Sequence, residues 1–317
     1  MKKFHKAGAA RLFLSATVFL AACGSSPGTT DTSDTTVVVE TTIPESTYPV
    51  SVGELTLDSQ PVRIVSLSPS ATEMLYAIGA GDQVVAVDDF SNYPQLSVAL
   101  GTALSGYQPN VEAISGYTPD LVVISYDPGG LVDQLKSLGI PVYIGDAATS
   151  FDDVYEQIEQ LGVLTGHAAQ AVQLSSQLQA DIETAVTSID MPGPLSYYYE
   201  LDPTYYSVTS NTFVGQVFGL FGLRNIADSA EAGNDYPQLS AEAIVSGDPD
   251  LIFLADTKCC NETSATVGAR AGWSGLKAVT NGNVIELDDD IASRWGPRIV
   301  ELVRAVLEAI SKALVNS

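Results

Sequence analysis

The sequence predicts an α/β protein in which two Rossmann-like lobes are joined by a single long helix. Short runs rich in valine and isoleucine alternate with segments of helical periodicity, and this alternation is typical of parallel sheets covered by helices. A helix–turn–strand pattern occurs twice, 130 residues apart, which indicates two copies of one unit. The longest helical pattern lies between the copies, where it would connect the lobes.

Residues 1–22 have the pattern of an export signal, with four basic residues followed by an apolar run from Leu12 to Ala22. The run is too short to span a bilayer of ~30 Å as a helix of the mature protein. It ends in the sequence LAAC, which resembles a bacterial lipobox and predicts a lipid on Cys23 at the outer face of the cytoplasmic membrane. The alternative is an ordinary signal peptide with a chance cysteine.

Residues 23–59 are predicted to form a flexible linker. Twelve of the 25 residues 24–48 are serine or threonine, and this stretch has no lysine or arginine. Such a segment buries too little apolar surface to fold. The linker would let the folded body move near the membrane while it stays anchored.

Charge and composition exclude several classes of protein. The chain has 14 Lys and Arg against 38 Asp and Glu, which gives a net charge of −24. A chain this acidic repels phosphates, and we therefore expect no nucleic-acid partner. Beyond the signal and Cys23, the chain has one histidine, His167, and two cysteines. These are too few for a usual zinc site or a Ser-His-Asp triad, so we expect neither a metal site nor an enzyme.

The N-terminal lobe is predicted over residues 60–149. Ser70 and Glu73 fit a capping box at the start of its first helix, and Gly79 fits the end of that helix. The predicted strands of this lobe are the apolar runs 63–67, 84–87, 121–124 and 142–144.

The connection between the lobes is predicted over residues 150–190. Ser150 is expected to cap a first helix, and the uninterrupted pattern of residues 167–189 predicts a rod of roughly 35 Å. A single rigid helix between lobes would permit only small tilting. The C-terminal lobe is then predicted over residues 191–317.

The repeated pattern comprises residues 111–124 and 241–254, which are identical at six of fourteen positions. Each copy predicts a helix, a Pro-Asp turn and a buried strand, and chance resemblance of two such units is the alternative. The identical pairs are Glu112/Glu242, Ala113/Ala243, Ile114/Ile244, Pro119/Pro249, Asp120/Asp250 and Leu121/Leu251.

Cys259 and Cys260 are adjacent in the chain. Cysteines outside the cytoplasm tend to oxidise, but neighbouring Cα atoms about 3.8 Å apart are closer than the usual ~4.4–6.8 Å of a disulfide. A strained ring between them, two free thiols and intermolecular pairing all remain open at this point.

Several segments together resemble the helical-backbone (class III) substrate-binding proteins of ABC importers, and in particular the cobalamin-binding members. These are RIVSLSPSATEMLYAIGAGDQVVAV from Arg63, the YTPDLVV turn, the linking helix and WGPRIV from Trp295. The resemblance implies a monomer that holds its ligand in a cleft between the lobes without chemistry. It also implies delivery of that ligand to an ABC permease dimer with its ATPase.

The same resemblance implies a large, partly flat cargo, either cobalamin or a related corrinoid, with a ferric siderophore or haem as the alternative. Such a ligand is cargo, and no resident cofactor is expected. Tyrosines at 107 and 236 stand where the family has tryptophans. By the resemblance, the ligand-binding side chains are Phe90, Tyr107, Tyr126, Tyr199, Tyr205, Tyr236 and Asp290.

Glu112 and Glu242 are the same position in the two copies of the repeat. Each is expected in the first turn of a helix, where the helix dipole favours a carboxylate by about 0.3–1 kcal/mol. In the family, matching glutamates dock onto arginines of the importer. The resemblance therefore implies that these two residues contact the permease; simple placement of charge at a helix N-terminus is the alternative.

Overall fold

The computed structural model describes residues 47–102 and 104–315. The predicted export signal, Cys23 and most of the predicted linker lie outside the described residues. Within them, every helix is too short or too polar to cross a bilayer.

The described residues form ten strands and thirteen α-helices. The strands are β1 (Val50–Val52), β2 (Leu55–Leu57), β3 (Ile64–Ser66), β4 (Val84–Val87), β5 (Leu121–Ile124), β6 (Val142–Ile144), β7 (Ser196–Glu200), β8 (Arg224–Asn225), β9 (Leu251–Leu254) and β10 (Val284–Glu286). The helices are α1 (Pro69–Ala77), α2 (Gln95–Val98), α3 (Val111–Gly116), α4 (Leu131–Ser137), α5 (Phe151–Thr165), α6 (Ala168–Thr187), α7 (Phe213–Gly219), α8 (Ala241–Gly247), α9 (Thr257–Cys260), α10 (Ser264–Gly268), α11 (Lys277–Thr280), α12 (Asp289–Ser293) and α13 (Ile299–Val315).

Two four-stranded parallel sheets form the two lobes, and both have the same strand order. The N-terminal sheet has the order β4-β3-β5-β6, and the C-terminal sheet has the order β8-β7-β9-β10. In each lobe the first strand is central, the second lies at one edge and the third and fourth follow on the other side. The predicted α/β class, the two lobes and the internal repeat are thus confirmed.

A repeated aspartate performs the same structural task in both lobes. The carboxylate of Asp120 accepts hydrogen bonds from the backbone N–H groups of Val62 and Arg63, just before β3, at 2.9 Å each. The carboxylate of Asp250 accepts from the backbone N–H of Ser196, the first residue of β7, at 2.8 Å. The Pro-Asp turn before each third strand therefore fixes the start of each first strand.

Strand residues alternate between two apolar layers, as a pleated strand requires. Leu121 and Val123 of β5 face a core that both lobes share, and Val122 and Ile124 face a core confined to the N-terminal lobe. Strands β7 and β9 alternate in the same way between the shared core and a C-terminal core. Each sheet is consequently covered on both faces, which is why the central strands β5 and β9 are continuously apolar.

The connection between the lobes contains two helices, the first capped by Ser150 and the second being the long helix predicted over residues 167–189. Ser150 caps α5 in a capping box with Asp153, as predicted for the cap, and α5 ends at Gly166, where φ is +79°. After His167, α6 runs for 20 residues, or roughly 30 Å. A Cβ atom on Gly162 would lie 2.3 Å from the Cβ of Ala171, so glycine is needed where α5 and α6 pack together.

The prediction of a flexible linker up to residue 59 is wrong for its last part. Strands β1 and β2 pair as an antiparallel hairpin, and Leu57 is buried in the shared core. The hydroxyl of Tyr48 donates to the carbonyl of Leu164 at 2.9 Å. Because the linker prediction was based on serine and threonine content, it overlooked the alternating apolar residues of the hairpin. Helix α5 packs against this hairpin.

Candidate ligand-binding cleft

A cavity of about 250 Å³ lies between the N-terminal lobe and the segment around α12. Its N-terminal wall follows the carboxyl ends of β3, β4 and β5, where ligands of open α/β sheets usually bind. Its lining residues are Leu67, Ser68, Pro69, Ser70, Asp88, Phe90, Gly106, Tyr107, Ser125, Tyr126, Asp290, Ser293, Arg294 and Trp295.

Three exposed aromatic side chains form the N-terminal wall of the cavity. Phe90 is 52% exposed, Tyr107 68% and Tyr126 42%. The rings of Phe90 and Tyr107 meet edge to face, with centroids 5.6 Å apart. Large apolar groups left in water at one place are typical of a binding surface. The structure thus brings together three of the six aromatic residues predicted to bind ligand.

Backbone constraints hold this aromatic wall in place. The carboxylate of Asp88, which is buried, accepts from the backbone N–H of Phe90 and from the hydroxyl of Ser91, both at 2.8 Å. Burial raises the pKa of Asp88 above its usual value despite these hydrogen bonds. A Cβ atom on Gly106 would lie 2.8 Å from the carbonyl oxygen of Leu67, so the chain can approach this closely only with glycine.

The opposite wall carries a network of charged side chains around Asp290. Its carboxylate accepts from Asn92 of the N-terminal lobe at 3.0 Å and from the Nζ of Lys258 at 2.9 Å. It also pairs with Nη2 of Arg294 at 2.6 Å. Burial acts to raise the pKa of Asp290, but Lys258, Arg294 and Asn92 together lower it below its ordinary value. Asp290 therefore lies in the predicted cleft and contacts both lobes.

Glu73 does not have the capping role that the sequence predicted. The cap of α1 is Ser68, whose side chain accepts from the backbone N–H of Ala71. Glu73 is instead 2% exposed and binds Arg294 and Arg298. Arg298 directly precedes α13 and thereby ties this last helix to Glu73.

Tyr199 was predicted to face the ligand, and this prediction is wrong. Strand β7 extends through Tyr199 to Glu200, so the side chain of Tyr199 points into the shared core and is fully buried. Its hydroxyl donates to the carbonyl of Ala292 at 2.9 Å. Because the strand continues beyond Tyr199, this ring lies within the covered sheet and not after its end.

Two other predicted ligand residues do not line the cavity. Tyr205 is partly buried and stacks on Trp273, with ring centroids 5.6 Å apart and Arg270 beside both rings. Tyr236 is 56% exposed in a loop of the C-terminal lobe. Tyr206, which forms an isolated β-bridge with Gln238, is another exposed tyrosine of this lobe. The cavity serines and Asp88 were also missed, because small polar residues after strands gave no distinctive motif.

The two cysteines are free and exposed in α9, and the structure has no bond between them. Desolvation and the adjoining Cys260 thiol raise the pKa of Cys259 to about 12, so this thiol is protonated at neutral pH. Nearby, the carboxylate of Asp289 accepts the backbone N–H groups of Lys258 and Cys259. Across residues 47–102 and 104–315, no three His, Cys, Asp or Glu side chains are arranged to hold a metal ion.

A larger hollow of about 690 Å³ lies elsewhere, between the β1–β2 hairpin, α4 and the edge strand β6. Lys136 and Glu54 are the charged residues that border it among those described. It contains neither the aromatic wall nor charged groups from both lobes. We therefore assign the smaller cavity between the lobes as the candidate site.

Glu112 and Glu242 occupy equivalent positions in the two lobes. Each is exposed in the first turn of its helix, α3 or α8. The helix starts are equivalent too, because Asn110 and Ser240 each accept a hydrogen bond from the backbone three residues later. The repeat thus places one exposed carboxylate in the same setting on each lobe.

Two parallel sheets of one strand order, joined by a helical connection and bordering a cavity with an aromatic wall, define a two-lobed solute-binding protein. The chain belongs to the periplasmic binding protein family, because the model of that family matches residues 64–291. This match covers both sheets and the cavity up to α12.

Individual relatives resemble the chain over most of its length. The cobalamin-binding protein of Halobacterium salinarum is 35% identical over 270 residues, which cover 82% of this chain and 72% of that protein. YvrC of Bacillus subtilis, an uncharacterized ABC transporter substrate-binding lipoprotein, is 32% identical over 324 residues and 98% of both chains. Among solved structures, the periplasmic vitamin B12 binding protein BtuF of Vibrio cholerae is similar with a TM-score of 0.67 and 29% identity, covering 80% of this chain and 98% of that one.

Proposed function

We propose that this protein is the extracytoplasmic substrate-binding component of an ABC importer and that it captures cobalamin or a related corrinoid. The observation that carries the proposal is the exposed aromatic wall of Phe90, Tyr107 and Tyr126 at the cleft. Aromatic faces stack on flat ligands and contribute about 0.5–1.5 kcal/mol per pair beyond area burial. The cavity of about 250 Å³ would hold one edge of so large a ligand, and the exposed rings would cover more of it.

The charges of the cavity favour a neutral ligand over an anionic one. Arg294 is the one basic side chain among the described residues that line it. Its Nη atoms already donate to Glu73, Phe90 and Asp290. A haem carboxylate or an anionic ferric chelate would therefore meet no uncommitted cation, whereas the amide side chains of a corrinoid need none.

Titration of the purified protein with cyanocobalamin, hemin and a ferric hydroxamate siderophore tests this function. We expect saturable binding of cyanocobalamin, followed by its visible absorbance, and weaker binding of the other two. The double variant Phe90→Ala with Tyr107→Ala should lose most of that affinity. Tyr93→Ala, which removes a similarly exposed ring outside the cavity, is the matched control. Preferential binding of hemin or the siderophore would replace the corrinoid with the alternative cargo.

We also propose that Glu112 and Glu242 dock onto the permease. Both carboxylates are exposed in equivalent helix starts, and two equivalent contacts suit a permease of two similar subunits. The net charge of −24 would also speed the approach to basic loops.

Charge reversal distinguishes docking from simple charge placement at a helix N-terminus. Glu112→Arg with Glu242→Arg should abolish uptake in cells while ligand affinity and Tm stay near wild type. The control is Glu183→Arg with Glu308→Arg, two exposed acids on α6 and α13. Wild-type uptake by the first double variant, or loss of ligand binding, contradicts the docking role.

A lipid on Cys23 is the proposed anchor, which the LAAC sequence supports. Cys23→Ala should leave the protein unprocessed or release it from the membrane fraction. Mass spectrometry of the mature N-terminus provides the direct measurement, and a mature wild-type protein without lipid that still sediments with membranes would contradict the anchor.

A further inference from the structure

One buried carboxylate of the N-terminal lobe binds two cations from the C-terminal lobe. The side chain of Glu73 on α1 is 1% exposed. Its Oε1 accepts from Nη1 of Arg294 at 2.8 Å and from Nη2 of Arg298 at 2.6 Å, and its Oε2 accepts from Nε of Arg298 at 2.9 Å. Three charge-assisted hydrogen bonds with good geometry fix all three side chains strongly.

The two arginines differ in what else they touch. Arg294 lines the cavity, and its Nη2 also donates to the carbonyl of Phe90 at 2.9 Å. Arg298 lies outside the cavity, with its guanidinium 4.2 Å from the ring centre of Tyr93. Glu73 therefore connects Arg294, which lines the cavity, with Arg298, which lies outside the cavity.

The segment between these arginines is shaped to bring them to Glu73. A Cβ atom on Gly296 would lie 3.4 Å from Oε2 of Glu73 and 3.5 Å from the carbonyl of Ser70. The WGPR sequence thus passes directly over α1, where a Cβ atom on Gly296 would make only ordinary van der Waals contacts. The WGPRIV motif, which contributed to the family resemblance, therefore contacts Glu73.

We propose that Glu73 is a positioning residue that sets the charge preference of the cleft. It holds the guanidinium of Arg294 in the cavity wall and offsets its positive charge, so that the cleft accepts neutral, amide-bearing ligands and disfavours carboxylates. This inference rests on the proposed function, because it concerns selectivity at the same cleft. A purely structural tie between the lobes would leave that selectivity unchanged.

The sharpest probes are two corrinoids that differ by one group. Cyanocobalamin and its monocarboxylic derivative, in which one propionamide has become a carboxylate, match in size and shape. In Glu73→Gln, Arg294 keeps Asp290 but loses the other of its two carboxylate partners, so the cavity wall gains one unit of positive charge. We expect the affinity ratio of the carboxylate to the amide to rise about tenfold at low salt, since a unit charge several Å away in a partly buried site acts with this strength. The gain should shrink as salt is added.

Two further variants keep the test decisive. Arg298→Gln disturbs the same buried group but leaves Glu73 opposite Arg294, so the ratio should stay at the wild-type value. If Glu73→Gln alone does not fold, Glu73→Gln with Arg298→Gln also removes the cation that has no other carboxylate partner among the described ion pairs, and it should show the same tenfold change. An unchanged ratio in whichever variant folds overturns the inference. Failure of the wild-type protein to bind either corrinoid instead contradicts the proposed function.

Discussion

The two lobes share one strand order but place their aromatic side chains differently. In the N-terminal lobe, Phe90 and Tyr107 are more than half exposed at the cleft. In the C-terminal lobe, Tyr197, Tyr198 and Tyr199 are fully buried within β7. The topology alone therefore does not decide which aromatic residues face a ligand. Position relative to the strand end decides it, because residues after a strand are free to turn outward and residues within a strand of a covered sheet are not.

The lobes also differ in how they neutralise a buried glutamate. Glu73 in the N-terminal lobe binds two arginines that belong to the other lobe. Glu200, the last residue of β7, is 0% exposed and binds Arg270 of its own lobe through two bonds of 2.6 Å. The first ion pair joins the lobes at the cleft, whereas the second stabilises the interior of one lobe. Removing an arginine from the first ion pair should consequently change the free energy of unfolding by a different amount than removing one from the second.

The largest effect is expected from Arg270→Met. The substitution leaves Glu200 buried without a cation, and also removes a partner of Glu262 at 2.8 Å. Removing one member of a buried ion pair costs about 3–5 kcal/mol, so the free energy of unfolding in urea at pH 7 should fall by this amount. Adding Glu200→Gln should restore much of the loss.

Arg298→Met is the matched variant for the ion pair of Glu73, which joins the two lobes. Arg294 still binds Glu73 in that variant, so a smaller loss of stability is expected. Equal losses in Arg270→Met and Arg298→Met would show that the two buried glutamates are equivalent after all.

Asp256→Asn should reveal a proton held in the C-terminal lobe. Both carboxylate oxygens of Asp256 are buried without a hydrogen-bond partner among the described residues. Burial, and then the charges of Glu200 and Glu262, raise its pKa to about 7. The folded state therefore binds this proton more tightly than the unfolded state, and stability falls as the pH rises from about 4 through 7.

An asparagine at position 256 cannot ionise, so it removes the free-energy cost of burying the charged carboxylate at high pH. Asp256→Asn should raise the free energy of unfolding by about 2–4 kcal/mol at pH 8 and by almost nothing at pH 4. Asp88 of the N-terminal lobe is also buried, but it has two hydrogen-bond donors, so Asp88→Asn should gain less. An equal gain from Asp256→Asn at both pH values would exclude titration as its cause.

Two tyrosine substitutions separate the binding role of one lobe from the structural role of the other. Tyr107→Ala should weaken corrinoid binding by about 1–3 kcal/mol, since stacking and apolar burial are lost, with Tm unchanged. Tyr199→Phe should leave affinity unchanged and lower stability by about 1 kcal/mol, because the carbonyl of Ala292 loses its donor. Calorimetric titration and thermal unfolding of both variants provide the measurements. The reverse pattern would place the ligand on the C-terminal lobe.

Features that depend on local sequence were predicted well. The strand runs, the Ser150 cap and the repeated helix–turn–strand unit all occur where the sequence placed them. Each depends on residues within a few positions of one another, namely apolar periodicity, a capping side chain or a Pro-Asp turn. The Val50–Leu57 hairpin was missed because its stability comes from packing against α5, which is distant in the sequence.

The candidate site was predicted only in part for the same reason. Phe90, Tyr107, Tyr126 and Asp290, which the family resemblance implied, converge on the cavity, and Phe90 and Tyr126 follow the predicted strands 84–87 and 121–124. The Glu73 contacts connect residues 221 and 225 positions apart. A local pattern could only assign Glu73 to a capping box, since nothing near it in the sequence indicates two arginines from the other lobe.

The smallest expected effect tests whether the repeated aspartates are equivalent. Asp120 accepts two backbone N–H groups before β3, and Asp250 accepts the N–H and the hydroxyl of Ser196 at the start of β7. Asp120→Ala and Asp250→Ala should each lower the free energy of unfolding by about 1 kcal/mol, because partly exposed hydrogen bonds to a carboxylate contribute roughly this much. Asp133→Ala, at an exposed position of α4, should change it by less than about 0.5 kcal/mol. Urea unfolding of the three variants decides the matter. A loss in one lobe without a loss in the other would mean that the repeat preserves the sequence of the turn but not its structural task.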